Sequence, residues 1–350
     1  MFQRILVPLD GSEGAERAIP VAARIAHASE GTIVFVRVIP PPTKVGTYAP
    51  VASVRIAVKS EAFEKDLAEA ANYLADMIAA YAGDLTGIAT EMDLGFGAAS
   101  PEIFSTARLE HVDLIVMCSH GETGLKRWVF CSIAQQAVRH SPVPVLVLNE
   151  HGVLLPELDA THPLRILVAL DGSALSEAAL EPAARLLAAW TPPQARGELH
   201  LIRVVDVPPV YGKFRSPAYF TDSLLEEASQ EAKTYVKAVA DRLREESLAG
   251  HKLTVTSGVS VSTDMAGTII KLAGYAEGVE HTRGYHLIAM ATHGRSGLQR
   301  LVMGSVTEQV LGATKLPLLI VRPRKTDAKP EKVTEKVETG VVEQSWVGLL

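Results

Sequence analysis

Short, uninterrupted apolar runs alternate with amphipathic stretches from the first residues of the chain onward. The runs at 5–9 (ILVPL) and 166–170 (ILVAL) contain no polar position, the pattern of strands covered on both faces of a parallel sheet. Each leads into Asp-Gly-Ser, and helical patterns follow at once over 12–29 and 173–190. Ser12 and Ser173 are their expected N-caps, with acidic Glu13, Glu16 and Glu177 in the early turns. Pro20 and Pro182 fall well inside these stretches and predict a kink. Second strands are expected over 32–39 and 198–205, helices over 60–81 and 221–247, and third strands over 88–94 and 252–259. Shorter helices open near Asp264 and near Pro101, where Ser100 and Pro101 read as N-cap and first helical residue. Fourth strands (113–117 and 286–290), helices from Ser132 and Ser305, and final strands (143–148 and 316–321) complete the series. Pro144 and Pro317 mark the final strands as edges. Five strands alternating with four helices predict a doubly wound α/β domain in each half.

The pattern repeats because the sequence repeats. RILVPLDGS at 4–12 returns as RILVALDGS at 165–173, and SHGETGLKRWVFCS at 119–132 returns as THGRSGLQRLVMGS at 292–305. A period of about 160 residues is too long for a solenoid unit and matches one compact domain. The expected division is a domain at 1–150, a linker at 151–162, a second domain at 163–323 and a tail at 324–350. The tail is charged and poor in core residues until its last ten, which include Trp346, so it is expected to be flexible.

Composition narrows the function more than the fold. A net charge of −6, from 34 basic against 40 acidic residues, argues against a general nucleic-acid binder. The chain holds no apolar stretch long enough to span a membrane, and its start runs into a strand pattern rather than a signal peptide, so a cytoplasmic protein is expected. Only two cysteines, Cys118 and Cys131, occur, which excludes a disulfide framework or a cysteine zinc site.

Both repeated motifs lie at the carboxyl ends of expected strands, where open parallel sheets bind ligands. In the second half Asp171 follows the first strand, Ala291 and Gly294 follow the fourth, and Gly304 and Ser305 open the last helix. A glycine at a helix start lets an anion approach the backbone, and the helix dipole favours it. Ser305 and Thr307 are expected to add hydroxyl donors, and Asp171 suits a ribose hydroxyl or a metal carried by phosphates.

On these residues each half resembles a universal stress protein domain of the branch that binds ATP through G-x-x-G-x9-G-[ST]. The resemblance implies a sheet ordered 3-2-1-4-5, with adenine near the first two strands and phosphates on the glycine loop. Carried onto the second half, it implies adenine against Ala169, Leu170 and Val204 and ribose beside Asp171. Met290, Ala291, Gly294, Gly304, Ser305, Val306 and Thr307 would then surround the ribose and phosphates. Alanine at 291 departs from the family's glycine. The cofactor implied is ATP, with or without Mg. The final strands of dimeric relatives pair across subunits, which implies that the two halves pair as a built-in pseudo-dimer, with further homodimerisation through another surface.

The first half departs further. Its corresponding residues are Pro8, Leu9, Asp10, Val38, Cys118, Gly121, Cys131 and Ser132, so two of the three glycine positions are cysteine. A side chain at 131 obstructs close approach, and Glu122 stands where the second half has Arg295. Two unit charges about 8 Å apart interact by roughly 2 kcal/mol at an effective dielectric near 20. ATP is therefore expected mainly in the second half. The resemblance puts Cys131, at a helix start, and Cys118 in the same pocket, where they would fill vacated space as small residues or, alternatively, form a redox pair. His120 and His293 lack a partner nucleophile or ligand spacing, so they read as loop structure or phosphate contacts. The run Gly95-Phe96-Gly97-Ala98-Ala99-Ser100 imitates a dinucleotide fingerprint but follows the third strand rather than the first. No catalytic residue is assigned. The expected function is an ATP-binding stress-response or regulatory protein with an unidentified protein partner. A slow ATP hydrolase or phosphotransfer enzyme and a nucleotide-free scaffold are the alternatives.

Overall fold

The computed structural model describes residues 2–41, 61–119, 132–149, 164–191, 197–207, 218–247, 253–274, 284–293 and 303–323. In the first half, strands β1 (Arg4–Pro8), β2 (Thr32–Ile39), β3 (Ala89–Phe96), β4 (Leu114–Cys118) and β5 (Val145–Leu148) alternate with helices α1 (Glu13–Glu16), α2 (Ala18–Ser29), α3 (Glu61–Ala80), α4 (Ala99–Leu109) and α5 (Ser132–His140). The second half repeats the order with β6 (Arg165–Leu170), β7 (Gly197–Asp206), β8 (Leu253–Ser262), β9 (Leu287–Ala291) and β10 (Leu318–Val321). Its helices are α6 (Leu180–Trp190), α7 (Ala218–Ser247), α8 (Met265–Gly274) and α9 (Ser305–Ala313), with a 3₁₀ turn at Ser176–Ala179 before α6.

All ten strands belong to one sheet, ordered β3-β2-β1-β4-β5-β10-β9-β6-β7-β8. Each half is parallel in the order 3-2-1-4-5, and the halves meet where β5 and β10 pair antiparallel, Leu146 opposite Leu319. The pseudo-dimer is thus a continuous sheet. β5 and β10 are edges only of their own halves, and in the whole chain they lie at its centre. Pro144 and Pro317 stand one residue before these strands, where no ladder N–H is needed, and their carbonyls accept from Ile115 and Ile288.

The apolar runs are continuous because both faces are covered. Ile5 and Val7 point into a layer with α2 and α6, while Leu6 points into the opposite layer with α4, α5, α8 and α9. The antiparallel junction puts α2 and α6 on the same side, where they pack together. Each core layer therefore passes through both halves.

The helices after β1 and β6 depart from expectation. Neither is one kinked helix: the first divides at Arg17 into α1 and α2, and the second starts as the 3₁₀ turn before α6. Pro20 and Pro182 lack the N–H that would bond to the carbonyls of Glu16 and Ala178, so the ladder is interrupted and each proline sits in a new first turn. Ser12 caps α1, accepting from Ala15 N at 3.1 Å, whereas Ser173 accepts from Ser176 N at 3.2 Å and closes the 3₁₀ turn rather than capping α6. Ser100 is not an N-cap either. α4 begins at Ala99 after an extended Ala98, Ser100 is buried inside it, and Pro101 occupies the third helical position. Asp264 does cap α8, accepting from Gly267 N at 2.9 Å.

One core position separates the halves chemically. Pairing with Leu6 and Leu167 puts Val34 and His200 at matching places on the second strands. His200 Nδ1 lies 2.7 Å from Thr256 Oγ1, and its ring lies against Tyr285, with centroids 5.6 Å apart. Burial lowers the His200 pKa, with Glu198 opposing and Arg165 adding to the shift. A histidine whose folded pKa is depressed stabilises the fold above its unfolded pKa, and that stability is lost as pH falls from about 6.5 through the lowered folded value. Urea midpoints at about pH 7.5 and about pH 5 should therefore differ less in His200→Val than in the parent chain. An unchanged difference would contradict this origin for the acid sensitivity.

Candidate functional site

The carboxyl ends of β6, β7 and β9 open onto a cavity of about 460 Å³, within the usual range for small-molecule sites. Sheet order reverses beside β6, the position at which doubly wound sheets hold ligands. Ala169, Leu170 and Asp171 reach the cavity from β6 and its loop, and Val204 from β7. Met290 and Ala291 reach it from β9, and Gly304, Ser305, Val306 and Thr307 from the start of α9. Ten of the eleven residues expected for the second half thus converge on one space. The eleventh, Gly294, lies outside the described residues, as do Arg295 and Arg300.

The start of α9 has the chemistry of an anion cradle. Gly304 is its N-cap and offers no side chain, so the first-turn amides of Ser305, Val306 and Thr307 have no acceptor within the helix and none from the N-cap side chain. The Gly304 backbone does not itself require glycine. Its φ is −60°, and among the described residues an added Cβ would meet Thr292 O at 3.4 Å and Thr307 Oγ1 at 3.9 Å. A side chain at this position would stand beside Thr292 and Thr307, two residues of the cavity lining. Two details differ from the expected roles. The Gly304 N–H donates to Thr292 O at 2.8 Å, and the Thr307 hydroxyl donates to Ala291 O at 3.0 Å. Both tie α9 to the end of β9, leaving Ser305, which is exposed, as the hydroxyl donor at the helix start.

Asp171 has a structural role that Asp10 shares. Its Oδ1 accepts from Ser173 N at 2.9 Å and Ser173 Oγ at 2.6 Å, and Gly172 makes the turn at φ 92°. Asp10 makes the same contacts with Ser12 at 3.0 and 2.6 Å around Gly11 at φ 93°. The Asp-Gly-Ser repeat is therefore a turn motif in both halves. The second half's turn lines the cavity.

Arg203 was not anticipated. Its side chain is 7% exposed, and its guanidinium lies 3.4 Å from Glu231 of α7 and over the Tyr235 ring at 5.4 Å from the centroid. Burial and the hydrogen bond to Glu177 push the Tyr235 phenol well above its ordinary range. Arg203 lines the cavity together with Asp206, Glu231, Met265 and Ile269, also unanticipated. The repeat contained a signal for the arginine. Arg37 holds the same place on β2, packs over Tyr73 at 4.4 Å, and Tyr73 bonds to Glu16 as Tyr235 bonds to Glu177. The contributions of α7 and α8 carry no motif.

The family model described as the universal stress protein family matches residues 1–149 and 164–322, which together are most of the chain. The chain belongs to the universal stress protein family. A universal stress protein from Mycolicibacterium smegmatis is 22% identical over 328 residues, covering 91% of this chain and 97% of that protein. Another, from Methanocaldococcus jannaschii, is 28% identical over 169 residues, 47% of this chain and 84% of that protein. The crystal structure of a universal stress protein from Archaeoglobus fulgidus shares the fold, with a TM-score of 0.56 at 19% identity over 91% of this chain and 98% of that one. The tandem arrangement is thus that of two universal stress protein units in one sheet.

In the first unit, Pro8 ends β1, Leu9 is buried and bonds to Val36 O at 2.9 Å, and Val38 packs against the α4–α5 core layer. Cys118 ends β4 and is buried, and Ser132 opens α5. His120, Gly121, Glu122 and Cys131 lie outside the described residues, and with them the Cys118–Cys131 pair. The linker and tail lie outside as well. His293 lines the second unit's cavity, its Nδ1 2.8 Å from Thr292 Oγ1. The glycine run at 95–100 joins β3 to α4, where the Glu102 side chain packs against Gly95 and Gly97. Among the described residues no cluster of three or more His, Cys, Asp or Glu side chains could hold a metal, and no helix is long and apolar enough to cross a membrane.

Proposed function

We propose that this universal stress protein binds ATP in its second unit and acts as a nucleotide-dependent regulator through a protein partner. The observation that carries the reading is the uncapped start of α9 at Gly304. This glycine, which its backbone conformation does not require, lines a cavity at the sheet's switch point. The apolar wall of Ala169, Leu170, Val204, Met265 and Ile269 suits an adenine ring, and Asp171, held at the rim by Ser173, suits the ribose hydroxyls. The phosphates would then meet the Ser305, Val306 and Thr307 amides and the Ser305 hydroxyl. Among the described lining residues, three carboxylates, Asp171, Asp206 and Glu231, accompany one arginine, Arg203, a lining that suits a divalent cation arriving with the phosphates. Mg would be held mainly by the nucleotide, with Asp171 as the candidate side chain.

Isothermal titration of nucleotide-stripped protein with Mg·ATP, together with a thermal melt, tests this reading. One site per chain is expected. ATP at about 100 times its Kd should add about 2.7 kcal/mol of stability. No heat and no shift at millimolar ATP would sink the proposal, and two equal sites would remove its restriction to the second unit.

A further inference from the structure

The helix that would cradle the phosphates is held by the other unit. Arg139, near the end of α5, bonds through Nη2 to Glu308 Oε1 at 3.1 Å, and Glu308 lies in the first turn of α9, one residue beyond the cavity lining. At the far end of the same helix, Asn149, just after β5, donates to the carbonyl of its C-cap Thr314 at 2.8 Å. First-unit side chains therefore hold both ends of α9, across the antiparallel β5–β10 junction. Aligning the repeat at Ser132 and Ser305 puts Gln135 in the place of Glu308 and Gly312 in the place of Arg139. The reciprocal pair has no charge, so this ion pair has no counterpart at the start of α5.

We infer that Arg139 is a positioning residue for the second unit's nucleotide site. It neutralises Glu308 beside the phosphate cradle and couples phosphate binding to the junction between the units. This inference rests on the nucleotide reading above. A carboxylate in a helix's first turn favours the helix dipole but opposes an anion arriving at the same amides. Paired with Arg139 it places little net charge there, and unpaired it repels the phosphates. The penalty should grow with phosphate charge and vanish for a ligand without phosphate. Among the described residues Arg139 Nε is buried with no hydrogen-bond partner, so Glu308 is the contact through which this side chain acts.

The test compares ATP and adenosine binding to the full chain in Arg139→Gln, Glu308→Gln and the double variant, with thermal melts to check folding. Arg139→Gln is expected to weaken ATP about three- to tenfold, leaving adenosine unchanged, with the loss shrinking at high salt. Glu308→Gln should bind ATP at least as well as the parent, and the double variant should recover parental affinity. Parental ATP affinity in Arg139→Gln overturns the inference, as does an equal loss for adenosine or a double variant that is not rescued. A parent chain that binds no adenine nucleotide overturns the nucleotide reading and this inference with it.

Discussion

Gly304→Val is expected to fold normally and to lose ATP affinity by about 30-fold or more. Among the described residues the valine Cβ would first meet Thr292 O, at 3.4 Å, the short end of ordinary contact, and φ −60° with ψ 140° suits a β-branched residue. The cost to the fold is limited to exchanging one N-cap residue for a poorer one, up to about 1 kcal/mol. The cost to binding is larger because the branched side chain stands over the first-turn amides. Displacing one charge-assisted hydrogen bond of about 2 kcal/mol corresponds to about 30-fold in Kd. Titration calorimetry and a urea melt on the same preparation separate the two effects. Unchanged ATP affinity would show that the phosphates lie elsewhere, and a collapsed melt would show that Gly304 serves the fold.

Leu319→Ala should destabilise the whole chain by about 2–5 kcal/mol, the usual range for emptying a large buried site. Leu319 has no exposed surface and lies opposite Leu146, equally buried, at the antiparallel junction. It belongs to the layer shared by α2 and α6, so the cavity opens in a core common to both units. Urea unfolding followed by tryptophan fluorescence and by circular dichroism should give one coincident transition that moves to lower midpoint. Two separate transitions, with only one moving, would mean that the units unfold independently.

Most of the element order was legible because its cause is local. Period and length distinguish the buried strands from the amphipathic helices, and the strand at Thr32–Ile39 coincides with its expected bounds. Errors cluster where a proline or serine has two uses. Pro20 and Pro182 begin helical segments instead of bending one helix, and Ser100 is buried inside α4 rather than capping it. Which use prevails depends on whether the preceding carbonyl has another donor and on what packs over the turn, and neither follows from residue order.

The candidate site was legible only in part for the same reason. Asp171 and Gly304 stand out because they recur in spaced motifs, but Arg203 reads as a polar interruption of an apolar strand until Tyr235 and Glu231 are seen around it. Thr307 has the composition of a ligand donor, yet its hydroxyl turns inward to Ala291 O.

By itself the sequence determined two α/β units, their strand order through the family resemblance, and the difference between Gly304 in one unit and Cys131 in the other. Covalent order and side-chain periodicity suffice for those. The resemblance also implied the pairing of the final strands, while tertiary structure decided that two core layers run through both units and that α9 is held at both ends from across the junction. Arg139 and Glu308 are 169 positions apart in the chain, and only antiparallel pairing of β5 with β10 brings their charges within 3.1 Å.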